Sequence, residues 1–210
     1  MQTSIVKTTE NFFKSALNEE KLTPERKILL STIAKTAVDA LKKDQPVNFN
    51  FICTHNSRRS QLCQVWAHYA THYFKLENIQ NFSGGTAVTA FFRNTVKTLQ
   101  NVGFNFHLME FSHANPKYII SNDHHKETLL AFSKLYDDES NSSPFIAITT
   151  CNNADENCPF ITEATHRFHL PFIDPKSHDD TDLQEEKYME TNRRIAGELH
   201  FLFLTISKLI

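Results

Sequence analysis

No apolar run in this 210-residue chain approaches the roughly 18–20 residues needed to cross a bilayer. No basic stretch followed by an apolar one opens it, so no membrane contact is expected and the cytoplasm is the expected compartment. An excess of charge of either sign is also missing. The 22 Lys and Arg against 24 Asp and Glu give a formal net charge of −2, which argues against a broad nucleic-acid-binding face, and no DNA-binding motif is recognisable. Cysteine is scarce. Four in a chain expected inside the cell read as catalytic or redox-active residues rather than a disulfide scaffold. Glycine is scarcer than is usual, four against eighteen Phe, but neither number points to a function. What remains is 40% hydrophobic and 22% charged, enough to bury the core of one ordinary domain with room for an appendage.

The most informative stretch is Phe51-Ile52-Cys53-Thr54-His55-Asn56-Ser57-Arg58-Arg59-Ser60. Before it, Val47, Phe49, Phe51 and Ile52 read as a short strand. After it, Leu62, Val65, Trp66, Tyr69, Ala70 and Tyr73 recur at helical spacing. A cysteine ending a strand, five residues, then an arginine at a helix start makes a cradle for an oxyanion. The N–H groups of Thr54, His55, Asn56, Ser57 and Arg58 can converge on it, the helix N-terminus adds partial positive charge, and Arg59 can donate as a planar fork. The same field favours the thiolate of Cys53, to which Ser60 can donate a hydrogen bond. The bland alternative is a buried cysteine capping a strand, with two arginines on a solvated loop.

Residues 1–46 are expected to be a helical extension. Thr23-Pro24-Glu25 is a helix start, and Ile28, Leu29, Ile33, Ala37 and Leu41 form a stripe ending before Asp44-Gln45-Pro46. That stripe must cover either the main domain or a second copy of the chain in a homodimer. In the remaining 47–210, strands are expected at 79–82, within 104–121, at 145–148 and from Phe168 to Asp174. Helices are expected over 87–102, 124–136 and 182–209. The order predicts an α/β three-layer sandwich with a mainly parallel sheet, its anion loop at the carboxyl ends of the strands.

Cys53-x5-Arg59-Ser60 after a hydrophobic strand resembles the low-molecular-weight protein tyrosine phosphatases. With Asn56-Ser57 before Arg59-Ser60-Gln61, it is most similar to the thioredoxin-coupled arsenate reductases among them. The resemblance places a Ser-x-Gly turn, Ser83 to Gly85, beside the anion loop. It makes Asp174, in Asp174-Pro175, the general acid. Cys151-Asn152-Asn153-Ala154-Asp155-Glu156-Asn157-Cys158-Pro159 resembles the reductases' redox segment, which ordinary phosphatases of the fold lack. The alternatives are two inert surface cysteines or a structural zinc on Cys151, Cys158, His166 and His169, but Cys-x6-Cys lies outside the usual zinc spacing, and neither metal nor cofactor is expected. The resemblance implies arsenate as substrate, attack by Cys53, a Cys53–Cys151 disulfide, a Cys151–Cys158 disulfide and thioredoxin as reductant. Two residues depart from it. His55 stands where the family usually has Gly, though His is among the residues that tolerate a positive φ, and Arg58 replaces a cysteine and is expected to add charge at the mouth. Lys176-Ser177-His178 stand where phosphatases carry tyrosines, which favours a small oxyanion. The rival readings are a phosphatase of phosphotyrosine or small phosphate esters, and a non-enzymatic oxyanion or redox sensor. Cys63, beside Trp66 on the apolar helix, is expected only to pack.

Overall fold

The computed structural model describes residues 9–19, 21–157 and 160–210, so Cys158 lies outside the described residues. Its centre is β1 (Val47–Cys53), buried along its whole length. Parallel neighbours flank it: β2 (Ile79–Gly85) on one side and β6 (Phe145–Thr149) on the other, with β7 (Ala164–His169) beyond, giving the order β2-β1-β6-β7. Two-sided burial explains why the β1 sequence alternates apolar residues with Asn and yet lies at the centre. Phe49 and Phe51 join the main core, while Asn48 and Asn50 face the other way and donate to the carbonyls of Pro144 and Tyr136.

The main core is capped by helices. These are α1 (Thr9–Glu19), α2 (Pro24–Leu41), α3 (Arg59–Tyr73) and the long C-terminal α6 (Gln184–Leu209). The start of α2 forms as its sequence dictates. Thr23 Oγ1 accepts from the Arg26 N–H at 3.2 Å, and Pro24 occupies the first turn. Its buried face is Leu30, Ile33, Ala34, Ala37 and Val38, one step round from the expected stripe, and Ile28 is left 68% exposed. That face packs on α6 and β1 of the same chain. On the sheet's opposite face lies a smaller cluster of Ile52, Cys53, Phe145, Ala147, Cys151, Ala154 and Ile161, covered by the short α5 (Asn152–Asn157). No helix among the described residues is long and apolar enough to cross a membrane.

Four expectations differ from what is observed. The 104–121 stretch supplies β3 (Phe104–Glu110) and β4 (Lys117–Asn122), which form with β5 (Leu129–Ala131) a separate antiparallel sheet, β3-β4-β5. The expected helix over 124–136 is thus a strand and a loop. Leu129 and Ala131 are buried with Leu130 turned out, so pairing with β4 overrides local helix propensity. The helix expected over 87–102 begins only at Arg93 (α4, Arg93–Gln100), because residues 86–92 bond the anion loop instead. The turn expected at Ser83-Gly84-Gly85 is the end of β2, with Gly85 opposite Cys53. Close approach explains both glycines. A Cβ at Gly84 would lie 2.2 Å from Tyr136 Cα, and one at Gly85 2.8 Å from Asn56 N. Last, β7 stops at His169, and 170–173 run on to Asp174 outside the sheet.

Candidate active site

Five successive carbonyls of the anion loop are taken up by its surroundings. Cys53 O accepts from Thr86 N, Thr54 O from Ala87 N at 2.8 Å, and Ser57 O from Phe92 N at 3.1 Å. His55 O accepts from the hydroxyls of Thr89 and Ser133, and Asn56 O from the Gln61 side chain. A trans peptide sets its N–H opposite its C=O, so the N–H groups of residues 54–58 are turned to the inside of the loop. The bend is carried by Asn56 at φ 44°, whereas His55 is not among the residues with positive φ. Asparagine tolerates that region because its side chain bonds locally. Here Asn56 Oδ1 accepts from Lys134 N at 2.9 Å and from Gln61 Nε2 at 3.1 Å, which orients its amide so that Nδ2 donates to Ser60 Oγ at 2.8 Å. Ser60 Oγ lies 3.0 Å from Cys53 Sγ. With the amide donating to its oxygen, the hydroxyl hydrogen is left for the sulfur, as a thiolate needs.

Arg59 opens α3. Its Nη2 donates to Asp174 Oδ2 at 2.6 Å and its Nη1 to Phe172 O at 3.2 Å, while its buried Nε has no partner among the described residues. An unpaired, buried, charge-bearing N–H is costly unless something occupies it, and an oxyanion in the loop is such a group. Asp174 follows Phe172 and Ile173, and its Oδ1 accepts from Lys176 N, capping the 3₁₀ turn Pro175–His178. The sequence thus brings Cys53, Arg59, Ser60 and Asp174 together. Arg58 behaves otherwise than expected. Its side chain is paired with Asp179 and Tyr188, so its charge is neutralised rather than added to the mouth, and its N–H is what it offers an anion.

Cys151 is 2% exposed and follows the end of β6, next to β1. Its Sγ accepts from Ala154 N at 3.4 Å and lies 3.5 Å from the hydroxyl of Thr54, the residue after Cys53. Thr54 Oγ1 also donates to Asn153 Oδ1 at 3.0 Å. Arg59, Cys151, Asn152, Asn153 and residues 171–173 line a cleft of about 480 Å³. The polar stretch after Cys151 is the short helix α5, pinned by Asp155. Burial alone raises that carboxyl, but the Thr149 hydroxyl, His169 and Arg167 together hold it below the usual carboxylate value. Cys63, fully buried on α3, is kept a thiol because burial pushes its pKa well up.

Residues assigned no role from sequence brace the loop: Gln61, Thr89, Asn115, Ser133 and Lys134. Asn115 joins the Ser133 backbone at both N–H and C=O, so the added antiparallel sheet is tied to the loop. Only Gln61 had a local signal, its place after Arg59-Ser60.

No family model matches the chain. In fold it is similar to the crystal structure of a YwlE mutant from Bacillus subtilis, TM-score 0.52 and 14% identity over 75% of this chain and 97% of that one. It is equally similar to a low-molecular-weight protein tyrosine phosphatase from T. tengcongensis, TM-score 0.51 and 14% identity over 74% and 97%. These likenesses show the fold of the low-molecular-weight tyrosine phosphatases. In sequence it is similar to arsenate reductases. It is 26% identical over 125 residues to arsenate reductase 2 of Staphylococcus epidermidis, covering 60% of this chain and 76% of that protein. It is 27% identical over 139 residues to the arsenate reductase of Bacillus subtilis, covering 66% and 79%.

Proposed function

We propose that the chain reduces arsenate to arsenite in the cytoplasm, using Cys53, Cys151 and Cys158 in sequence. The observation that carries the reading is a second buried thiol, Cys151, set against Thr54 at the edge of the anion loop. Phosphate-ester hydrolysis has no use for one. Arsenate sits on the N–H groups of residues 54–58 and on Arg59. The Cys53 thiolate attacks arsenic, and Asp174 protonates the oxygen that leaves as water. The Cys151 thiolate then attacks Cys53 Sγ. The S–As electron pair stays on arsenic, which falls from As(V) to As(III) and departs as arsenite, and the two sulfurs form a disulfide. Cys158 attacks Cys151 and frees Cys53, and an external dithiol of the thioredoxin kind reduces the Cys151–Cys158 bond. The two electrons come from the two thiols oxidised.

Hydrolysis of phosphate esters is the second reading, favoured by the fact that Cys53, Arg59 and Asp174 suffice for it. The test is arsenite formation with and without thioredoxin, beside aryl-phosphate hydrolysis. Wild type is expected to make arsenite catalytically only with the reductant. Cys151→Ser should make none while still hydrolysing the ester. Cys158→Ser should make about one arsenite per enzyme, with a Cys53–Cys151 disulfide visible by mass spectrometry. A wild type that hydrolyses the ester but yields no arsenite would establish the phosphatase instead.

A further inference from the structure

Two adjacent arginines end the anion loop, and each holds an aspartate of the acid loop. Arg59 Nη2 pairs with Asp174 Oδ2, and Arg58 Nη2 with Asp179 Oδ2, both at 2.6 Å. Between the two aspartates lies only the 3₁₀ turn Pro175–His178, so the turn carrying Asp174 is fastened at both ends. The second fastening is the more elaborate. Arg58 Nε donates to Tyr188 Oη at 2.6 Å, and that hydroxyl donates to Asp179 Oδ1 at 2.6 Å, closing a ring of three hydrogen bonds. The Arg58 guanidinium lies 3.9 Å above the Phe92 ring, and the Phe92 backbone N–H donates to Ser57 O. The Arg58 and Asp179 side chains are only 11% and 18% exposed, so the pair is shielded from screening water. Burial and the bond to Asp179 push the Tyr188 phenol up, which keeps it a donor.

We propose that Arg58, Asp179 and Tyr188 are positioning residues that hold the acid loop closed over the anion loop and so aim Asp174 at the departing oxygen. The proposal rests on the reading of Asp174 as general acid. Arg59 alone cannot do this work, because an incoming oxyanion competes with Asp174 for the same guanidinium. Once that pair loosens, the Arg58–Asp179 pair still ties the acid loop to the anion loop. Arg58 therefore acts on the reaction through Asp174, without its side chain touching substrate.

The test separates positioning from mere support by the leaving group. Phenolate leaves poorly unless protonated, whereas dinitrophenolate needs no acid. Asp179→Asn is expected to slow hydrolysis of phenyl phosphate by about 10²-fold, the scale of a misplaced catalytic group, and dinitrophenyl phosphate by less than about 3-fold. Tyr188→Phe, which removes one hydroxyl and keeps the ring, should show the same selectivity at about 10-fold. The double variant Asp174→Asn/Asp179→Asn should be no slower than Asp174→Asn alone. Equal losses on both esters, or additive losses in the double variant, would overturn the clamp while leaving the site reading intact. If Asp174→Asn itself showed no leaving-group dependence, the general-acid reading would fail and the clamp with it.

Discussion

Asn56 shows how much one side chain of the loop carries. It supplies the only positive φ between Cys53 and Arg59, and its amide links Lys134 and Gln61 to Ser60, and through Ser60 to the Cys53 sulfur. Asn56→Ala would leave the Lys134 N–H unpaired in a buried place and force Ala into the left-handed region. Together these cost about 2–4 kcal/mol, measurable by urea unfolding. Asn56→Gly relieves the backbone but not the bonds, and should recover about 1 kcal/mol of that loss. The grouping of side chains at this scale was legible because it is local: a cysteine, an arginine and a serine within eight positions, on a strand and a helix start. Which loop residue takes the positive φ was not legible. That choice belongs to Lys134, 78 positions away. Arg58 was misjudged for the same reason, its partners Asp179 and Tyr188 lying 121 and 130 positions on.

Elements were read well where periodicity and burial agree, as in β1, α3, β6 and α6. They were read poorly where a segment serves the anion loop. Residues 86–92 and 133–134 give hydrogen bonds to that loop rather than continuing a helix, and no pattern within either stretch announces it. Where α3 meets the end of β4 and the residues after it, histidines gather. His68 and His72 stand 4.6 Å apart on α3, with His125 5.9 Å from His72 and Glu127 alongside. Burial, helped by His72, drives His68 down from 6.5 to about 4, and burial lowers His125 as well. The unfolded chain therefore takes up a proton on His68 below pH 6.5 that the folded one refuses until about pH 4. The folded state is fully favoured above 6.5, and that stability is lost as pH falls through this window, by up to about 1.4 kcal/mol per unit. Melting temperatures at pH 7 and pH 4.5 should thus differ more for wild type than for His68→Gln. An equal drop in both would show that this histidine is not linked to folding.

Taken whole, the chain has one large core into which the N-terminal helices are built. Phe13 of α1 lies between Trp66, 5.6 Å away on α3, and His200, 4.3 Å away on α6. Nothing in residues 1–45 announced a partner, because the other half of each contact lies on helices far along the sequence. Phe13→Ala is expected to remove about 3–5 kcal/mol. Trp66 is the only tryptophan, so its fluorescence should report the same single transition as far-ultraviolet circular dichroism. Two separated transitions would mean that α1 unfolds as an appendage.

The pairing of β1 with β6 also sets the tempo of the proposed cycle. Ile52 lies opposite Thr149 in that ladder, and so Cys53 and Cys151 emerge side by side from a single stiff framework, though 98 positions separate them along the chain. In the proposed cycle the two sulfurs that react before arsenite departs, Cys53 and Cys151, stand at or just past the ends of that framework. Later turnovers wait in addition for an external dithiol to diffuse to the protein disulfide. Thickening the solvent with sucrose should accordingly leave the first arsenite burst untouched and drag on every turnover after it.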